Sequence, residues 1–197
     1  TITTQNRFNT RSVVDSSGNL YIGTTVNAPE GTILYKIEPN GNILFSSSSL
    51  ENLPRNFRSM RIRDNRIALV SGSPTFNVGP VFVYDTTGNL LWTAAIEGIS
   101  AADVEIDEAL NVYVLSSLEN AVSGSSGYDM TLTKYDATGN QLWVQHYDFD
   151  GMEVSSKMVL LNNRISAIGW GTSSPSSPYF DWKTLQKNWR AYISSGG

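Results

Sequence analysis

Acidic side chains at alternating positions are the first residues in this sequence whose spacing could do chemistry. Asp103, Glu105 and Asp107 alternate along one predicted strand and therefore share one of its faces. Oxygen ligands in such a row could hold Ca²⁺ or act as paired carboxylates. A similar earlier segment places Arg61 where it could reach Glu105. We therefore interpret the row as a structural ion pair or as simply exposed, and predict no metal site.

The sole histidine gives little support for catalysis. His146 alone excludes a metal site of several imidazoles, and any Ser-His-Asp triad would have to be built on it. Strand alternation points it away from Trp143 and Tyr147, which is typical of a half-exposed polar residue. The acidic segment 148–151 is interpreted as a solvated turn. We predict no catalytic residue.

Missing residue types narrow the function further. The chain has no cysteine, and neither a Gly-x-Gly-x-x-Gly nor a Gly-Lys-[Ser/Thr] motif is present, so we expect no cofactor. The net charge is −4 and the isoelectric point is near 4.9, which argues against a nucleic-acid partner. No apolar run approaches the ~20 residues of a membrane span, so membrane insertion is not expected.

A repeated phrase defines the elements that position these residues. Lys134 to Trp143 has weaker copies at Val83 to Trp92 and Lys36 to Phe45. Gly41, Gly88 and Gly139 in these copies lie 47 and 51 residues apart, a spacing typical of propellers and solenoids. Each copy predicts a hairpin, and in Asp-x-x-Gly-Asn the aspartate side chain accepts backbone amides while the glycine supplies a positive φ.

A second hairpin precedes each copy, so two hairpins make a four-stranded unit. Four such hairpins are recognisable, and the last copy of the repeated phrase is degraded. The sequence therefore predicts an all-β protein, a β-propeller built of about four four-stranded antiparallel blades. A single domain is expected over residues 1–197, with repeats at roughly 8–50, 57–97, 101–148 and 154–194.

The repeat resembles that of a bacterial β-propeller family often called SBBP. The resemblance is carried by Asp-x-x-Gly-Asn-[Leu/Val]-Tyr-[Ile/Val], a variable loop, then Lys-Tyr-Asp-x-x-Gly-Asn-x-Leu-Trp. It is strong over 12–45, 81–92 and 102–147, and weak after Val154. It implies a secreted, cell-surface or virion-associated protein. The Asp-x-x-Gly-x-x-x-Trp ending is also similar to quinoprotein propeller repeats, which rank second because no cofactor pocket is predicted.

Aromatic residues fall into two groups. Phe45, Trp92 and Trp143 hold the same place in successive repeats and are expected to pack between blades. Others crowd the last blade, where they either fill a degraded repeat or form an interaction surface. The surface candidates are Trp170, Tyr179, Phe180, Trp182 and Trp189.

The sequence favours a non-catalytic binding or scaffold domain that acts through its variable loops. The expected partner is a protein or a glycan. A carbohydrate-binding propeller lectin is the alternative, and a propeller enzyme ranks third. Closure of the ring stays open between a four-bladed ring, a piece of a longer chain and a homo-oligomer.

Overall fold

A computed structural model describes ten parts of the chain. These are residues 7–27, 30–50, 57–71, 80–96, 98, 100–119, 127–148, 152–162, 164–172 and 181–188.

The first two sheets are antiparallel meanders of four strands each, in which every strand pairs with its neighbours in sequence. Tight hairpin turns and alternating side chains account for this order. Sheet 1 contains β1 (Arg7–Val14), β2 (Leu20–Asn27), β3 (Glu30–Ile37) and β4 (Ile43–Leu50). Sheet 2 contains β5 (Phe57–Arg63), β6 (Arg66–Ser71), β7 (Pro80–Asp85) and β8 (Leu90–Ala95).

The other two sheets continue the pattern, and the described part of the last one has three strands. The predicted all-β class is confirmed. Sheet 3 contains β9 (Ser100–Ile106), β10 (Val112–Glu119), β11 (Tyr128–Tyr135) and β12 (Gln141–Tyr147). Sheet 4 contains β13 (Met152–Leu161), β14 (Arg164–Thr172) and β15 (Asp181–Asn188).

Five hairpin turns share one hydrogen-bond pattern, which explains their sequence. In the turn at 136–140, the Asp136 amide donates to the Asn140 carbonyl, and the Gly139 amide donates to the Asp136 carbonyl. One Asp136 carboxylate oxygen accepts the amides of Thr138 and Asn140, at 2.8 and 3.0 Å. Gly139 has φ 93°, as the pattern requires. The predicted role of the aspartate and the glycine is confirmed at this turn.

Apolar clusters fill the spaces between successive sheets. Each inner sheet presents one face to the preceding sheet and its other face to the next. Tyr21 and Leu34 of sheet 1 meet Ile67 and Leu69 of sheet 2. The cluster between sheets 2 and 3 consists of Ala68, Val70, Val81, Val83, Ile96, Ala101, Val104, Ile106, Val112, Val114 and Tyr135. The cluster between sheets 3 and 4 consists of Tyr113, Leu115, Met130, Leu132, Met158, Ile165 and Ala167.

The first strands of the sheets lie beside one another. β5 contacts both β1 and β9, and β9 also contacts β13. The fold therefore brings the four first strands to one side of the array, and the site is built there. None of the described residues forms a helix long and apolar enough to cross a membrane.

Candidate functional site: the central cavity

Every first strand carries an irregularity near its start. One residue is skipped in the register between Phe8 and Thr10 on β1. The skipped residues on the other first strands are Arg58 on β5, Ala102 on β9 and Ser156 on β13. A β-bulge redirects the side chain of the extra residue and bends the strand. The repeated bulge is what shapes the site.

A cavity of about 420 Å³ lies where these strands converge. We call it the central cavity. All four sheets contribute to its wall, and the three bulged residues of β5, β9 and β13 are among the lining residues. The lining consists of Arg11, Arg58, Ser100, Ala101, Ala102, Val154, Ser155, Ser156 and Lys157.

Asp103 ties three of the first strands together directly behind this wall. Its side chain is fully buried. It accepts a hydrogen bond from the Ser59 hydroxyl of β5 and one from the Met158 amide of β13, the latter at 3.0 Å. The Lys157 ammonium lies 3.5 Å from the same carboxylate. A buried carboxylate with this many donors rigidifies the wall without facing the cavity.

The predicted ion pair between Arg61 and Glu105 is confirmed. The Arg61 Nε lies 3.0 Å from Glu105 Oε1, and Arg61 Nη2 lies 3.6 Å from Asp103 Oδ2. Burial raises the pKa of Glu105, and the nearby Arg61 guanidinium opposes that rise. The pair therefore bridges β5 and β9 as a structural link.

Asp107 lies just beyond the strand that carries Asp103 and Glu105. Asp107 follows the end of β9 and belongs to the turn at 107–111, where it accepts the amides of Ala109 and Asn111 at 2.9 and 2.8 Å. Turn formation overrides simple strand alternation at this position. Across the described residues, no three acidic or imidazole side chains gather closely enough to hold a metal ion.

His146 lies on the outer strand of sheet 3, away from the first strands. Its Nδ1 is 3.0 Å from the Thr131 hydroxyl on β11, directly across the ladder. The ring is half-buried, in agreement with the half-exposed position predicted from strand alternation. It takes no part in the central cavity.

The predicted packing of Trp92 between sheets is confirmed. Its indole Nε1 donates to the Ala137 carbonyl at 3.1 Å, and its ring lies 5.9 Å from that of Tyr135. Both partners belong to sheet 3. Trp143 is partly buried against the cluster between sheets 3 and 4. The side chain of Phe45 lies outside the description.

The predicted aromatic surface lies mostly outside the described residues. Tyr179, Phe180 and Trp189 fall there. Trp170 and Trp182 lie opposite each other in the ladder between β14 and β15, and only their backbone is described. This interaction surface stays a prediction.

The sequence did not predict the cavity residues Arg11, Arg58 and Lys157. Each lies in the first strand of a different repeat, no more than two residues from the bulge of that strand. A basic residue near the start of each of these strands is a pattern that the sequence contains. The hydrophobic pattern does not reveal the bulges, however, and the bulges bring these residues to one cavity.

The similarity to two solved structures shows the class of fold. A protein of unknown function from Bacteroides caccae matches with a TM-score of 0.55 and 11% identity, over 81% of this chain and 55% of that chain. A luciferin-regenerating enzyme matches with a TM-score of 0.52 and 12% identity, over 83% of this chain and 54% of that chain. The chain thus has an all-β, propeller-like fold and spans about half the length of these two proteins.

No protein-family model and no curated protein matches the chain. The resemblance to the SBBP repeat therefore stays a prediction.

Proposed function

We propose that this chain is a non-catalytic binding domain of the β-propeller class, built of about four blades, with its ligand site in the central cavity. The observation that carries the proposal is that the first strands of all four sheets line one cavity. A cavity at the meeting point of several elements is the usual place for a small-molecule site, and its volume falls in the usual range.

The hydrogen bonds and ion pairs of the acidic side chains support a binding function over a catalytic one. Of the two carboxylates on β9, Asp103 is held by Ser59, Arg61 and Lys157, and Glu105 is held by Arg61. A general acid or base must instead be free to reach a bound substrate. The lining offers guanidinium, ammonium and hydroxyl groups, which suit recognition.

A carbohydrate-binding surface on sheet 4 is the second candidate. The register of β14 and β15 places Trp170 opposite Trp182. Paired aromatic residues suit stacking on sugar faces. This candidate predicts that glycan binding depends on Trp170 and Trp182 and is independent of the cavity.

Filling the cavity tests the proposal. Ala102→Trp adds an indole to the lining, and Ala109→Trp adds the same group at an exposed turn as a control. A thermal-shift panel of acidic and neutral sugars, dicarboxylates and inorganic phosphate would be run on all three proteins. We expect a ligand that stabilises the wild type and Ala109→Trp, and that loses its effect in Ala102→Trp. A panel in which no compound depends on Ala102, or turnover of any compound, would overturn the proposal.

A further inference from the structure

The lining of the central cavity is cationic in an acidic protein. Arg11, Arg58 and Lys157 reach it from β1, β5 and β13, and none of the described lining residues is a carboxylate. The chain as a whole carries a net charge of −4. Positive charge is therefore concentrated at the place where the four sheets meet.

Two of these cations are left without a counter-charge. Lys157 and Arg61 lie beside Asp103 and Glu105, so these four charges balance. Arg11 and Arg58 have no ion-pair partner in the part of the chain that the structure describes. Counted over the described residues, the cavity therefore has an excess of about two positive charges, and a bound anion would gain from both.

Arg11 is held in place for such an anion. Its Nε donates to the Arg58 carbonyl at 2.8 Å, and its Nη1 donates to the Thr10 carbonyl at 3.0 Å. Its Nη2 makes no hydrogen bond to any described residue. A guanidinium fixed by two carbonyls loses less entropy on binding, because its geometry is already set.

Arg58 owes its position to the bulge. It is the extra residue of β5, so its side chain is directed out of the ladder, and its guanidinium makes no hydrogen bond to any described residue. Arginine donors of this kind bind carboxylate and phosphate groups by paired, charge-assisted hydrogen bonds.

We propose that the central cavity binds a small molecule carrying a carboxylate or phosphate group, with Arg11 and Arg58 as the residues that take the anionic group. Ser100 and Ser156 supply hydroxyls for the neutral remainder of the ligand. This inference rests on the proposed binding function and adds the chemical class of the ligand.

Titration calorimetry with matched probes tests the class. D-glucuronate is compared with D-glucose, which has the same ring without the charge, and inorganic phosphate forms a third arm, all at constant ionic strength. We expect glucuronate or phosphate to bind with one site per chain and glucose to bind at least tenfold more weakly. The arm that binds more tightly identifies the carboxylate or the phosphate as the recognised group.

Charge-removing variants locate the site. Arg11→Gln and Arg58→Gln should each weaken anion binding by roughly tenfold or more, because each removes a charge-assisted contact. Arg164→Gln is the matched control, since Arg164 is an exposed arginine on β14. Thermal unfolding of each variant checks that it is folded.

Equal effects of Arg58→Gln and Arg164→Gln would overturn the inference, as would failure of both anions to bind. Binding of a neutral compound that Ala102→Trp abolishes would leave the binding domain intact and refute the anionic class. The two proposals can therefore fail separately.

Discussion

Tyr84 and Tyr135 occupy the same place in successive repeats but differ in their hydrogen bonds. Both side chains are buried. The Tyr135 hydroxyl donates to the Ala95 carbonyl of the preceding sheet at 2.9 Å. The Tyr84 hydroxyl has no partner among the described residues. The two positions therefore form a natural comparison of a satisfied and an unsatisfied hydroxyl.

Removing each hydroxyl should give unequal effects. Tyr135→Phe should lower the free energy of unfolding by about 1 kcal/mol, because a buried hydrogen bond is lost and the Ala95 carbonyl loses its donor. Tyr84→Phe should be neutral or stabilising, since it removes a buried polar group that is not bonded. Urea denaturation of both variants measures the difference, and a larger loss in Tyr84→Phe would contradict this account.

Among individual residues, the sequence predicted the ion pair between strands but did not predict the residues of the central cavity. The ion pair between Arg61 and Glu105 follows from placing successive repeats in register, so it could be predicted. The convergence of Arg11 and Arg58 depends on a bulge in each first strand. A bulge changes where one side chain points without changing the hydrophobic pattern, so the sequence does not reveal it.

Gly41 and Gly139 show what the hairpin turn requires as an element. Their φ values are 90° and 93°, so both lie in the left-handed region. A Cβ added at Gly139 would lie 2.8 Å from the Trp92 ring, whereas one at Gly41 would meet nothing within 4 Å. Gly139 therefore carries a packing requirement that Gly41 lacks.

The matched variants Gly41→Ala and Gly139→Ala separate these two requirements. Gly41→Ala should cost about 1 kcal/mol for backbone strain. Gly139→Ala should lower the free energy of unfolding by about 1–3 kcal/mol more, because Trp92 must move from its place on the turn. Thermal or urea unfolding measures both. Equal costs would show that Trp92 does not hold sheet 2 against sheet 3.

The aspartates of the hairpin turns should make the stability of the fold depend on pH. Hydrogen bonds from Asn140 and Thr138 hold the pKa of Asp136 well below its usual range. Burial alone would raise the pKa of Asp85, but hydrogen bonds from Thr87 and Asn89 outweigh it and lower that pKa as well. Because both pKa values are lower in the folded state, their contribution is fully present above about pH 4 and is lost as the pH falls further.

Unfolding free energies between pH 2 and pH 7 test this sign. The double variant Asp85→Asn with Asp136→Asn should lose less stability below pH 4 than the wild type does. Burial raises the pKa of Glu105, so that residue acts in the opposite direction in both proteins. The difference between the two pH profiles is therefore the informative quantity, and parallel profiles would refute the role of the turns.

At the element scale the turns and hairpins could be predicted because their chemistry is local. Acidic residue, glycine and asparagine at fixed spacing determine the hydrogen bonds of the turn at 136–140. The turn at 107–111 keeps the pattern with Leu110 at φ 63° in place of glycine. This type of turn can therefore form without glycine.

Among the described residues, the two ends of the array carry exposed apolar side chains. Met158 and Ile165 of sheet 4 pack against sheet 3. Val159 and Leu161, on the opposite face, are 57% and 66% exposed. At the other end, Val14 of sheet 1 is 57% exposed on the face turned away from sheet 2. Every inner face in the array is covered by a neighbouring sheet.

We therefore expect the isolated chain to self-associate, with sheet 4 of one copy against sheet 1 of another. Such a head-to-tail contact continues the order of the sheets and either closes a ring or extends it. Leu161→Glu should abolish the association, whereas Leu142→Glu should leave it unchanged, since Leu142 is 51% exposed on β12. Light scattering after size exclusion measures the mass, and a wild-type chain that is monomeric at all concentrations would contradict the expectation.

We propose that the first strands of all four sheets line one ligand site. Amide chemical shifts of the ¹⁵N-labelled chain, followed while D-glucuronate is added, test this most directly. We expect Arg11, Arg58, Ala102 and Ser156, one residue from each sheet, to shift together with a single affinity. Shifts confined to one sheet, or to the aromatic residues between 170 and 189, would contradict it.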